Sequence, residues 1–259
     1  MFSERKATHI TSESVDDPAS LHRLADCYRY PESPSPDTGS PYVRVNFVSS
    51  IDGAATHNGK SGDLGGPGDR AVFRTLRGLA DVILVGARTA VTEGYRQPQP
   101  DDVFTDLRRD HGQAPAPRFA LVSRSLNIPA DYAPLADAGT VVFTCASAPH
   151  DRRQALAAAG ATIMACGQDT VDLKRVLEIC GTNRWNRVLC EGGPSLFGSL
   201  IAADLVDELC HTTSPVLAGG DAGRIAHGPD TALRPMRPET TLTDDDGYIY
   251  TRWVRGPGR

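Results

Sequence analysis

Between Tyr42 and Val206, short runs rich in Val, Ile and Leu alternate with single stretches of helical pattern, and this alternation constrains the fold more than any other feature. Strands are expected at 42–48, 81–86, 118–123, 140–145, 161–165 and 187–191, and helices at 68–79, 150–159, 170–180 and 194–203. A strand, one helix and another strand make a βαβ unit, which forces the two strands parallel. The fold class is therefore α/β, with a mostly parallel central sheet flanked by helices. Gly160, after three alanines, reads as a helix C-cap. Beyond residue 206 the helical patterns stop. Segments 207–214 and 247–254 read as antiparallel C-terminal strands joined by a Gly/Pro-rich connection, at an edge or a dimer seam.

Residues 1–40 form an N-terminal segment, and 41–259 form a single domain. In the first segment a short helix begins near Asp17-Pro18, and Pro31 to Pro41 is a linker by composition. Apolar residues make up 40% of the chain, enough for a substantial core. With 27 basic and 32 acidic residues the net charge is −5, which argues against nucleic acid as a partner. Apolar runs such as Val82-Ile83-Leu84-Val85 fall far short of a membrane span, and Met1-Phe2-Ser3-Glu4-Arg5-Lys6 holds no signal-peptide core. A cytoplasmic protein is expected, with no membrane contact. Its six cysteines stand at least ten residues apart, so they read as buried reduced thiols rather than a metal or redox motif.

Two segments run from an apolar strand through glycine into a helix start: Ile83-Leu84-Val85-Gly86-Ala87-Arg88-Thr89 and Arg187 to Leu196, which contains Glu191-Gly192-Gly193-Pro194-Ser195. Glycine lets a ligand approach the backbone, and free N–H groups at a helix start attract phosphate. Either turn alone fits a structural role equally well, but the two together point to a nucleotide. The dinucleotide fingerprint G-x-G-x-x-G is absent. Ser123-Arg124-Ser125, at a strand exit, offers a guanidinium flanked by hydroxyls, suited to a phosphate monoester such as the 2′-phosphate of NADP. The first core strand ends at Ser50-Ile51-Asp52-Gly53, and a glycine-dense loop follows from Gly59 to Arg70. Asp52 reads either as a turn residue or as a functional carboxylate. No histidine pair, G-x-S-x-G elbow or zinc-deaminase signature is present, so no metal is expected and the seven histidines read as surface or turn residues.

In order, these features resemble the reductase domain of the riboflavin-biosynthesis deaminase–reductase family, which has a dihydrofolate-reductase-like fold. The likeness covers about 41–256 and rests on Pro41-Tyr42-Val43, Ser50-Ile51-Asp52-Gly53, Ser61, Pro67, Arg70, Leu76-Arg77, Val85-Gly86 with Thr89, Cys166-Gly167 with Val171-Asp172-Leu173, Glu191 to Leu196, and Leu205-Val206-Asp207-Glu208. It implies an NADPH-dependent reductase of a ribosylaminopyrimidine phosphate, of the 5-amino-6-(5-phosphoribosylamino)uracil type. Reduction of dihydrofolate or another pterin, or an inactive nucleotide-binding module, are the alternatives. The implied cofactor-binding set is Gly86, Thr89, Glu93, Ser123, Arg124, Gly167, Gly192, Gly193, Pro194, Ser195 and Leu196. Asp52, Ser61, Arg70, Arg96 and Glu191 are placed at the small heterocyclic substrate. Asp52 is the first catalytic candidate and Glu191 the second. A homodimer built partly from the late strands is also expected. Three departures stand out: Ala54 where the family usually has Lys or Arg, Glu93-Gly94-Tyr95 in place of Asp-Asp-Pro, and no deaminase half. Arg70, Arg96 or Lys60 is expected to replace the missing cation.

Overall fold

The computed structural model describes residues 8–10, 16–31, 40–137 and 139–256. In chain order the first half comprises β1 (Thr8–Ile10), α1 (Pro18–Cys27), β2 (Tyr42–Ser50), α2 (Pro67–Leu79), β3 (Val82–Gly86), α3 (Ala87–Glu93), α4 (Thr105–Asp110) and β4 (Arg118–Val122). The second comprises β5 (Thr140–Thr144), α5 (His150–Ala158), β6 (Thr162–Ala165), α6 (Leu173–Thr182), β7 (Arg187–Cys190), α7 (Pro194–Ala202), β8 (Glu208–Ser214), β9 (Met236–Asp244) and β10 (Ile249–Arg255).

The ten strands among the described residues form one sheet in the order β1-β9-β10-β8-β2-β7-β3-β4-β5-β6. From β8 to β6 every pairing is parallel, whereas β10 runs antiparallel to both β8 and β9. This is the α/β architecture expected from the alternation. Val82-Ile83-Leu84-Val85 is buried on both faces, as a central parallel strand must be. On one face α1, α2, α3 and α5 cover Ile83, Val85, Phe119 and Leu121. On the other, α6 and α7 cover Val43, Val45, Leu84 and Phe143. Proline at the first position starts α2 and α7, and the Asp172 carboxylate caps α6 by accepting from Lys174 N–H at 2.9 Å.

Helix α1 begins at Pro18 as expected, but it does not stand apart from the domain. Leu21, Leu24, Ala25 and Tyr28 are buried in the core shared with α2. Of the expected linker, residues 32–39 lie outside the described residues. The late strands differ more. Strand β9 occupies part of the stretch read as a connection, so β8 and β10 are interior strands, each paired on both sides. Open edges at 207–214 and 247–254, the physical basis for a dimer seam there, do not exist. Proline explains the oversight: Pro238 cannot donate to the ladder. The register there steps from Thr240 opposite Arg252 to Pro238 opposite Trp253, bulging out Glu239. Among the described residues no helix is long and apolar enough to cross a membrane, and the six cysteines are unpaired thiols, five of them buried.

Candidate active site

Parallel strands bring their carboxyl ends to one rim, where backbone groups are left over for ligands. On that rim the exits of β3 and β7 are stitched together. Gly86 N–H donates to Gly192 O at 2.7 Å, and Glu191 N–H donates to Leu84 O at 3.1 Å. The Gly192–Gly193 peptide is cis, and Gly192 holds φ +106°, a conformation that L side chains rarely adopt. A side chain on Gly193 would put its Cβ 2.1 Å from Thr89 Oγ1, and one on Gly86 would sit 3.2 Å from Gly193 N. Helix α7 starts directly after this turn, so the N–H groups of Ser195 and Leu196 stand outside its hydrogen-bond ladder. Gly86, Thr89 and Gly192 through Leu196 thus come together as one cradle on the rim, with the Ser195 and Leu196 N–H groups as its free donors.

The remaining expected cofactor residues divide. Ser123 and Arg124 leave β4 at the same rim, Ser123 Oγ accepting from Leu126 N–H at 3.0 Å and Arg124 exposed. Glu93 meets a residue expected on the substrate side, its carboxylate accepting from Ser61 N–H at 2.9 Å and Ser61 Oγ at 3.2 Å. Gly167 stands elsewhere, at φ +89° in a loop lining a separate cavity of about 520 Å³ with Ser199 of α7.

Asp52 lies at the end of β2, exposed, with its carboxylate accepting from Ser50 Oγ, from Ala218 N–H at 3.1 Å and from Gly219 N–H at 2.7 Å. The Ser50 hydroxyl, with those backbone donors, holds its pKa down at about 2. Glu191 is different from the free acid expected of a catalytic residue. Its side chain is 1% exposed, and both oxygens accept from Arg77, at 2.8 Å from Nε and 2.7 Å from Nη2. Arg77 in turn lies over the Phe73 ring at 4.2 Å and faces Tyr95 at 5.3 Å. Lys60, Arg70 and Arg96 are exposed and are not among the residues that line Asp52's cleft.

That cleft has a volume of about 390 Å³ and is lined in part by Ser49, Asp52, Ala54, His211, Gly219 and Arg224. Two features of it escaped the sequence reading. His211 is no turn residue but faces the cleft from β8, sharing a 2.9 Å hydrogen bond with Ser49 Oγ, and burial lowers its pKa, favouring the neutral ring. The Gly/Pro-rich connection forms a strap, residues 215–228. Ile51 N–H donates to Val216 O and Ala55 N–H to Gly223 O, both at 2.9 Å, while His227 N–H donates to Pro194 O at 3.2 Å. His227 Nε2 also lies 3.3 Å from Ser195 Oγ. The glycines at 219, 220 and 223 were the available signal; nothing local said where the strap would land.

Comparison with known proteins fits this geometry. The family described as the RibD C-terminal domain matches residues 41–250. The chain belongs to that family. Among curated relatives, the 2,5-diamino-6-ribosylamino-4(3H)-pyrimidinone 5′-phosphate reductase of Methanothermobacter thermautotrophicus is 30% identical over 82% of this chain and 98% of its own. The Archaeoglobus fulgidus protein of the same name is 28% identical over 82% and 97%. A pyrimidine reductase-like protein from Corynebacterium diphtheriae superposes with a TM-score of 0.80 at 24% identity, over 96% of this chain and 100% of that one, and so shares the fold. A RibD C-terminal domain related this closely to reductases is an oxidoreductase, and it implies a nicotinamide cofactor. The residues present suit such a cofactor: the glycines at 86, 192 and 193 let the two strand exits close on each other against Thr89 and Phe47, and beside them the free N–H groups of Ser195 and Leu196 at the start of α7 suit its phosphates.

Proposed function

We propose that the protein is the pyrimidine reductase of riboflavin biosynthesis, using NADPH to reduce a ribosylaminopyrimidine 5′-phosphate. The observation that carries this reading is the stitched Gly86–Gly192–Gly193 cradle, joined to the Asp52 cleft by the strap that reaches Pro194. When bound, the cofactor supplies a hydride equivalent. Gly86, Thr89, Gly192, Gly193, Pro194, Ser195 and Leu196 hold its pyrophosphate and nicotinamide ribose, while Ser123 and Arg124 bind the 2′-phosphate. Asp52 orients the heterocycle from the cleft. Glu191 acts through Arg77 as a positioning residue, since its own oxygens are both taken.

Both the uracil and the diaminopyrimidinone form of the substrate suit an acceptor carboxylate, so both belong in the assay. Purified protein should consume NADPH with at least one of the two phosphates and much faster than with dihydrofolate. Turnover of dihydrofolate alone would reassign the substrate, and no turnover with any of the three would leave only a nucleotide-binding module. A cytoplasmic homodimer completes the reading. Exposed Ile51 (61%) and Leu217 (76%), brought near each other by the Ile51–Val216 hydrogen bond, support the dimer, and a monomeric mass in light scattering would count against it.

A further inference from the structure

A substrate that carries a phosphate needs a cation where that phosphate rests, and the three cations expected from the sequence do not line the Asp52 cleft. Arg224 does. The hydrogen bond from Ala55 N–H to Gly223 O, at 2.9 Å, sets the strap against the turn after Asp52, so residues 54 and 224 flank one backbone contact. Ala54 gives that place only a methyl group, buried to 5% exposure. The long side chain comes from the opposite strand of the contact. Gly219 and Gly220, at φ +63° and +70°, add no side chains to the wall between them.

The residues lining the cleft include one carboxylate and one guanidinium. Asp52 is its single carboxylate and already accepts from Ser50, Ala218 and Gly219. Among the described residues no hydrogen bond or ion pair engages the Arg224 guanidinium. We infer that Arg224 is the specificity-determining residue of the cleft, its guanidinium fork binding the phosphate of the substrate's ribosyl group. The inference rests on the reading of the protein as a reductase of a phosphorylated ribosylaminopyrimidine. A planar fork with paired N–H donors matches phosphate oxygens two at a time, which a lysine ammonium does not.

Ribose 5-phosphate is the probe, titrated by calorimetry into the wild type, Arg224→Ala and Arg224→Lys, beside steady-state kinetics on the pyrimidine phosphate and NADPH titrations. Arg224→Ala is expected to weaken ribose 5-phosphate and raise KM by about ten- to a hundredfold. Its kcat should stay within about twofold and its NADPH Kd should not move, while Arg224→Lys recovers part of the loss. Equal binding by wild type and Arg224→Ala, or no binding by the wild type, would overturn the inference. So would an equal loss of NADPH affinity, which would assign Arg224 to the cofactor. Arg224-dependent binding of ribose 5-phosphate in a protein that reduces neither pyrimidine would instead leave the inference standing and remove the reading beneath it.

Discussion

Single side chains at the rim are mostly committed to partners before any ligand arrives. The Asp52 carboxylate, with its pKa near 2, is ionised across the working range. Its folded value lies below the ~3.9 of an unfolded aspartate, so what it contributes is present above about pH 4 and lost as pH falls towards 2. Asp52→Asn should lower turnover about 100-fold and leave NADPH affinity nearly unchanged; wild-type rates in the variant would move catalysis elsewhere. Arg124→Ala should weaken NADPH ten- to a hundredfold and NADH hardly at all, as fluorescence titration of both cofactors would show. Equal losses would remove Arg124 from the 2′-phosphate. The places of Asp52, Arg124 and the glycines on the rim were legible because they are set locally: a strand exit, a turn, a helix start. Arg77 and His211 were not, since Glu191 lies 114 residues from Arg77 and Ser49 lies 162 from His211. Their roles exist only after the sheet has formed.

Elements set how close the two glycine turns can come. Strand β7 pairs with β3 over only three residue pairs, Val82 with Val188 through Leu84 with Cys190, and past that point Gly192 and Gly193 pass directly over Thr89 of α3. Gly193→Ala therefore overpacks the contact with Thr89 Oγ1. The variant should lose about 1–3 kcal/mol of stability in denaturant unfolding and most of its NADPH affinity. Unchanged cofactor binding would mean that the turn has slack the geometry does not show. The parallel strands could be placed from sequence to within a residue or two, because fully buried strands are continuous apolar runs. Strand β9 reads Met-Arg-Pro-Glu-Thr-Thr, with exposed residues at 237–239, and lacks the alternation by which a half-buried strand is recognised.

Across the whole molecule, three strands and a helix meet at one buried charge. Glu208 of β8 forms an ion pair with Arg44 of β2, Nε lying 2.6 Å from Oε1, and accepts from Arg44 Nη2 at 3.3 Å, from Arg252 of β10 at 3.0 Å and from the Tyr42 hydroxyl at 3.0 Å. Arg252 also donates to Cys27 O at 3.2 Å and Arg29 O at 3.1 Å, tying the end of α1 to the sheet. Burial alone would raise the Glu208 pKa, but the two guanidiniums outweigh it and hold the carboxyl below its ordinary value. Its stabilisation is therefore complete above about pH 4.3 and is lost as pH falls through the lower folded value. Glu208→Ala leaves two guanidiniums without their counter-ion. It should cost about 3–5 kcal/mol and lower Tm by roughly 6–20 °C, and a smaller shift in calorimetry would show that water reaches the cluster. The strap at 215–228 acts over a comparable span, fastened to Asp52 at one end and to Pro194 at the other. A ligand that stiffens the strap on one side would spare the other that conformational entropy, so NADPH and the pyrimidine phosphate are expected to tighten each other in titrations, and unchanged affinities would show the strap already rigid. Linkage then requires that the factor by which each tightens the other be the same in both directions.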